Sequence, residues 1–367
     1  MTELLVGTRK GLFALQGDPG EAFDVTARAF AGDPVEYAVR EPRTGRVFAS
    51  VTSPFYGPKI FYADDPSGEW EQAEGVALPE GGDAVLERIW VIASGEADHT
   101  IYAGGDPGVL FVSRDGGATF EINRGLFEHP TRPKWEPGAG GMCLHSIVPW
   151  PGEPDRLAVA ISAAGVWLTD DAGATWRRGN DGLVARYIPE DVPEDEIALC
   201  VHRVHRAATR PERMFLQFHG GVYRSDDAGQ TWADIGDGLP SDFGFALALD
   251  PADPDSAYVI PLTADVDRVT PEGRVRVYET RDAGASWQPR GDGLPQNEAY
   301  LTILREAFDW RGRGDALELY FGATSGTVFG SADAGASWTA VADYLPPVHS
   351  VSAGGHLGDD QGAGARG

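Results

Sequence analysis

The sequence predicts an all-β chain closed into a single seven-bladed β-propeller. Three observations carry that prediction. A short aspartate-containing motif recurs along the chain, its spacing is that of a four-stranded blade, and 48 Gly and 26 Pro are spread evenly among 367 residues as turn residues rather than pooled in linkers.

Five segments are near-copies: residues 113–120 (SRDGGATF), 169–176 (TDDAGATW), 225–232 (SDDAGQTW), 280–287 (TRDAGASW) and 331–338 (SADAGASW). They share Ser/Thr-x-Asp-x-Gly-x-Ser/Thr-aromatic. Residues 16–23 (QGDPGEAF) and 63–70 (ADDPSGEW) are weaker copies. The seven aspartates, Asp18, Asp65, Asp115, Asp171, Asp227, Asp282 and Asp333, are 47, 50, 56, 56, 55 and 51 residues apart, close to the length of a propeller blade. The fifth repeat reads as strands at 202–207, 214–219 and 222–224, then the motif, then a strand from Trp232. Gly11, Gly108, Gly165, Gly221 and Gly326 each precede a third strand, where a tight hairpin calls for positive φ. In the motif, the Asp carboxylate can accept turn N–H groups, the Gly supplies a conformation closed to other residues, and the aromatic packs between blades.

The first strand, at 4–8, is a second strand by position, so its blade lacks an innermost strand. Residues 348–352 (VHSVS) can supply it and close the ring, which removes exposed edges. The propeller is expected over 1–353, followed by a disordered Gly-rich tail at 354–367.

With 30 Lys and Arg against 56 Asp and Glu, the net charge of −26 argues against nucleic acid and anionic membrane surfaces as partners. No apolar run is long enough to span a bilayer, the N-terminus does not read as a signal peptide, and Cys143 and Cys200 are the only cysteines. A reduced, cytoplasmic monomer is expected.

The motif turns mark one end of the propeller, the bottom. Starts of first strands and ends of second strands lie at the top, around the channel mouth. The first-strand starts hold Glu36, Arg88, His145, His202, Tyr300 and His349, and the fifth blade's second strand ends with Gln217 and His219. Cys143-Leu-His145 and Cys200-Val-His202 lie 26 and 25 residues before their aspartates, so they occupy equivalent positions in adjacent blades. Three imidazoles, of His145, His202 and His219, with the Gln217 amide would suit one divalent transition metal (Zn, Mn or Fe) with open positions. A metal-free pocket and a purely structural role are the alternatives. His129 and Glu306 are candidate catalytic bases, and Arg88, Trp135, Tyr300, Arg305 and His349 are candidate ligand-binding residues. Arg203 can pair with channel carboxylates such as Glu41 and Glu306. The expected ligand is a small oxygenated or glycan-like molecule handled by a hydrolase or lyase; the alternative is a non-catalytic interaction or assembly scaffold.

The repeated motif resembles the Asp-box of the BNR repeat proteins, a superfamily that includes sialidases, xyloglucanases, sortilin-type receptors and photosystem assembly factors. The resemblance covers residues 1 to about 352. Through LLVGTRKG (4–11), HPTRPKWEPGAGGMCLHSIV (129–148), AISAAGVW (160–167), GVYRSDDAG (221–229) and YLPPV (344–348), the chain is similar to a bacterial group described as WD40/YVTN/BNR-like repeat proteins, often labelled exo-α-sialidase. No Arg-Ile-Pro occurs, and sialidases usually have six blades, so the resemblance does not imply sialidase chemistry. The His145, His202, Gln217 and His219 set is similar in ligand type to the three-His-plus-Gln centre of propeller-type oligogalacturonate lyases.

Overall fold

A computed structural model describes residues 1–81, 84–138, 140–186, 199–264 and 266–354, so the expected tail lies outside the described residues apart from Gly354. The chain forms seven four-stranded antiparallel sheets arranged as the blades of a propeller. The fifth consists of Val201–Arg206, Met214–Phe218, Gly221–Ser225 and Ala233–Asp234, each close to the strand expected from sequence. The inner strands of blades two to seven are Val35–Arg40, Arg88–Ser94, Leu144–Trp150, Val201–Arg206, Gly244–Asp250 and Ile303–Arg311. Each neighbours the next around the central channel.

In the first blade Val348–Ser352 pairs antiparallel with Thr2–Thr8, with Val351 opposite Val6 and Ser352 opposite Leu5. The sheet continues through Gly11–Gly17 and Asp24–Ala29. Val348–Ser352 also packs between the inner strands of the seventh and second blades, so both neighbours of the first blade touch it.

The repeated turns share one hydrogen-bond pattern. Around Asp171, the Thr169 hydroxyl and the Thr175 amide donate to Oδ1 at 2.8 and 2.9 Å, and the Thr175 hydroxyl donates to Oδ2 at 2.6 Å. The Gly173 amide donates back to the Thr169 hydroxyl oxygen. The same bonds recur around Asp115, Asp227, Asp282 and Asp333. The special conformation was expected at the Gly alone. In fact the preceding residue shares it: Ala172, Ala228, Ala283 and Ala334 have φ of 57°, 66°, 58° and 55°. The carboxylate bonds hold those alanines in a left-handed region that a Cβ disfavours. The two weaker copies bond differently. Asp65 takes the amide and hydroxyl of Ser67, and Asp18 pairs with the N-terminal ammonium at 3.1 Å.

The closing aromatics stitch each blade to the one before. The indole N–H groups of Trp232 and Trp287 donate to the carbonyls of Gly179 and Ile235 in the preceding blades, at 2.8 and 2.7 Å. The backbone amides of Phe120, Trp232 and Trp338 reach Glu74, Asp181 and Asp292 in the same sense. The Phe23 amide reaches the Val341 carbonyl, which carries the pattern across the closure. All five hairpin glycines have positive φ; at Gly326 (96°) a Cβ would also collide with the Leu345 carbonyl.

Candidate functional site

Every inner strand breaks register near its top end. The pairing skips Glu36, Trp90, His145, His202 and His349 in five blades, residues 245–246 in the sixth and residues 304–307 in the seventh. A bulge leaves its extra residue out of the ladder and re-aims its side chain. The bulges thus supply Glu36, Trp90, His202, Phe245, Arg305 and His349 to the mouth of the channel.

In the fifth and sixth blades the site centres on Cys200, His202 and His219. One ligand atom from each lies within 4.8 Å of the other two. His202 Nδ1 sits 2.6 Å from the Gly244 carbonyl. A carbonyl only accepts, so Nδ1 carries the proton and the lone pair is on Nε2, the nitrogen 3.5 Å from Cys200 Sγ. This is the arrangement that orients a metal-ligating imidazole through its second nitrogen. Burial, and then the charge of Arg305, push the His202 pKa well below its usual range, which keeps the ring neutral. The His202 ring packs on Phe243 and Phe245, with centroids 5.3 and 4.7 Å away, and His219 packs on Phe243 at 5.1 Å. His202 is buried, while Cys200 and His219 are partly exposed, so the group has an open side.

The two other expected ligands are seated elsewhere. His145 is fully buried between the fourth and fifth blades. Its Nε2 lies 2.9 Å from the Val201 carbonyl and its Nδ1 lies 3.0 Å from the Ser146 hydroxyl, whose oxygen accepts the Val204 amide. Both ring nitrogens are committed, so His145 acts as a brace between blades. Gln217 turns its amide N–H groups to the carbonyls of Phe218, Gly221 and Asp242. Cys143 is buried, its thiol pushed up to about 11 by burial, and its sulfur contacts the Gly140 carbonyl at 3.4 Å. The equivalent cysteine, Cys200, is the one that joins the histidines; the matched spacing of the two Cys-x-His pairs does not distinguish them.

The remaining candidates divide between structural and mouth positions. Glu306 is buried and pairs with Arg203, as the sequence allowed, and Arg203 also donates to His205 Nε2 at 3.0 Å. That pairing places Glu306 in a channel ion pair rather than in the position of an unencumbered base. His129 accepts the Thr131 amide and packs against Trp167, with centroids 4.6 Å apart. Trp135 is only 5% exposed and packs on the same Trp167, so it is a loop anchor and not a stacking platform. Tyr300 precedes the inner strand that begins at Ile303 and is 63% exposed at the rim. His349 pairs with Glu36 at 3.3 Å. Burial raises the Glu36 carboxyl, but the His349 bond and the charges of His349 and Arg88 outweigh it and hold the group below its usual range.

Arg305 and Arg88 frame the middle of the mouth. Their guanidinium carbons lie 5.4 and 5.1 Å from the ring centroid of Trp90, and Arg305 is also 5.2 Å from that of Phe245. Trp90, Phe243 and Phe245 escape a sequence reading because they look like ordinary core aromatics; Trp90 and Phe245 are turned to the mouth by bulges, and Phe243 just precedes one.

No family model matches the chain, and none of the curated proteins matches it. Solved structures do. An ancestral GH74 enzyme matches with a TM-score of 0.57 at 19% identity over 86% of this chain and 37% of its own length. The GH74 enzyme of Niastella koreensis matches with a TM-score of 0.60 at 13% identity, over 91% of this chain and 53% of the enzyme. A YCF48 structure bound to D1 peptide matches with a TM-score of 0.50 at 12% identity, over 80% and 78%. The chain spans only about a third to a half of the two GH74 enzymes. At these identities the likeness is one of fold, and on that ground the protein is a seven-bladed β-propeller similar in architecture to the GH74 and YCF48 propellers.

Proposed function

We propose that the top of this propeller is a ligand-binding site built on a divalent transition metal held by Cys200, His202 and His219, serving a hydrolase or lyase that acts on a small oxygenated substrate. The observation that carries the reading is the convergence of those three ligand atoms within 4.8 Å, with His202 fixed in the tautomer that leaves Nε2 for the metal. Tetrahedral zinc, with bonds of ~2.0–2.3 Å, sets ligand atoms roughly 3.5 Å apart, a small side-chain adjustment from the geometry present. A thiolate with two imidazoles favours zinc over manganese, and three protein ligands leave a position open to substrate or water. The metal would supply a Lewis acid for a carbonyl or alkoxide oxygen. Phe243 and Phe245 exclude water from one side, and the Gly244 carbonyl fixes the ring of His202. A reducing, cytoplasmic setting suits a Cys200 that is not in a disulfide. The repeated turns support placing the chain among the Asp-box repeat propellers, in the WD40/YVTN/BNR-like group.

The test is metal content by plasma mass spectrometry on protein purified without a histidine tag. About one equivalent of zinc is expected in the wild type and in His145→Gln, with loss in His202→Ala and His219→Ala while cooperative unfolding persists. Absence of metal from the wild type, or equal metal in all variants, overturns the reading.

A second reading has its own observation. The large exposed side chains Phe55, Tyr56, Val266, Tyr300 and Tyr344 all sit in connections at the top, which suits a face that docks a protein segment. The similar YCF48 structure is itself bound to a peptide. A metal-free protein that retains this face would make it a non-catalytic scaffold.

A further inference from the structure

The protein carries 26 more acidic than basic side chains, yet two guanidiniums at the mouth have no ion-pair partner among the described residues. Arg305 is 8% exposed, and neither its Nε nor that of Arg88 has a hydrogen-bond partner. A buried charged donor left unmet is rare and destabilising. Elsewhere in the channel the same situation is resolved within the protein: Arg203, also buried, pairs with Glu306. At the mouth the nearby acids feel these charges, Glu36 that of Arg88 and Asp106 those of Arg88 and Arg305, but their direct bonds go elsewhere. Glu36 holds His349, and Asp106 accepts the Met142 amide at 3.2 Å.

What fixes the two guanidiniums is stacking. Trp90 packs against both, and Phe245 lies against Arg305. Stacking occupies the faces of the cation and leaves its N–H edge for a partner in the plane. Arg305 begins on the seventh blade but touches rings of the third and sixth, so its charge lies across the mouth rather than along one wall. That charge also helps burial hold His145 and His202 neutral.

We propose that Arg305, with Arg88 beside it, anchors the carboxylate of a small organic acid at the mouth of the channel. The planar fork of a guanidinium matches a planar carboxylate in two parallel hydrogen bonds. A phosphate dianion fits less well, because it brings a second charge towards Glu36. The proposal rests on the reading of the top face as a ligand site and names its substrate class, but it does not depend on the metal.

The test uses the full chain, stripped with the neutral chelator phenanthroline and dialysed, so that anion binding is read without metal. Melting temperature and calorimetric titration are measured with acetate, glycolate and gluconate, and with phosphate and chloride at matched ionic strength. At least one carboxylate is expected to raise the melting temperature and bind, with chloride inert and phosphate weaker. In Arg305→Met the carboxylate affinity is expected to fall about tenfold or more, because a charged bidentate contact is lost. Without anion, Arg305→Met is expected to melt at or above the wild type, since it removes an unpaired buried charge. Arg305→Lys keeps the charge without the fork and provides a folded comparison with reduced affinity. No carboxylate response in the wild type, an equal response in both variants, or phosphate exceeding every carboxylate overturns the proposal. Zinc in the protein as purified, with no carboxylate binding after stripping, would sink this inference alone; carboxylate binding by a protein that carries no zinc as purified would sink the metal reading alone.

Discussion

Asp171 shows what a single residue contributes to a blade. Its carboxylate collects the Thr175 hydroxyl and amide and the Thr169 hydroxyl, and these bonds hold its pKa down to about 2, below the usual aspartate range. A depressed folded pKa stabilises the protein fully above the unfolded value, and that contribution is lost as pH falls through about 2. Asp171→Asn is therefore expected to melt below the wild type near neutrality, with the gap shrinking between about pH 4 and pH 2. Thermal melts across that range check it, and a gap independent of pH would show that the carboxylate charge is irrelevant. The aspartates were legible in the sequence because each turn repeats the same local chemistry. The histidines were only half legible. His145 and His202 stand at equivalent positions and both bond to the next blade, but His145 does so through Nε2 and His202 through Nδ1. Which nitrogen reaches across is a matter of ring orientation, and no residue spacing reports it.

At the scale of the strand, the decisive feature is the bulge. Alternation along a strand sets which residues face the channel, and a one-residue bulge resets that alternation. Strand positions and the candidacy of Arg305 were therefore readable, while the aim of Trp90 and Phe245 was not. The long bulge at residues 304–307 also explains why neighbours on one strand have different fates, with Arg305 at the mouth and Glu306 paired to Arg203. Breaking a buried pair leaves one charge stranded, so Glu306→Ala is expected to cost about 3–5 kcal/mol. Denaturant unfolding measures this; a loss within about 0.5 kcal/mol, the range of ordinary surface substitutions, would mean that the pair contributes nothing to stability.

At the scale of the whole molecule, the blades are joined by aromatic side chains and backbone bonds that repeat from one to the next, and the first sheet is shared between Val348–Ser352 and the strands that begin at Thr2. A chain ending at Pro347 leaves Thr2–Thr8 with an unpaired edge. It is expected to associate and to lose its single cooperative melt, as light scattering and calorimetry would show. A monomer melting at the wild-type temperature would deny the strand its role. The repeat made the number of blades and the closing strand legible, since both follow from counting. The same arrangement sets an order in time. Val348–Ser352 follows every other strand in the chain, so Thr2–Thr8 must wait for the whole circuit to be synthesised before it gains its second neighbour. At ~5–20 residues per second, that wait is roughly 20–70 s. The newborn protein is most open to pairing with a stranger during that interval, on the ribosome, and the finished ring keeps no trace of it.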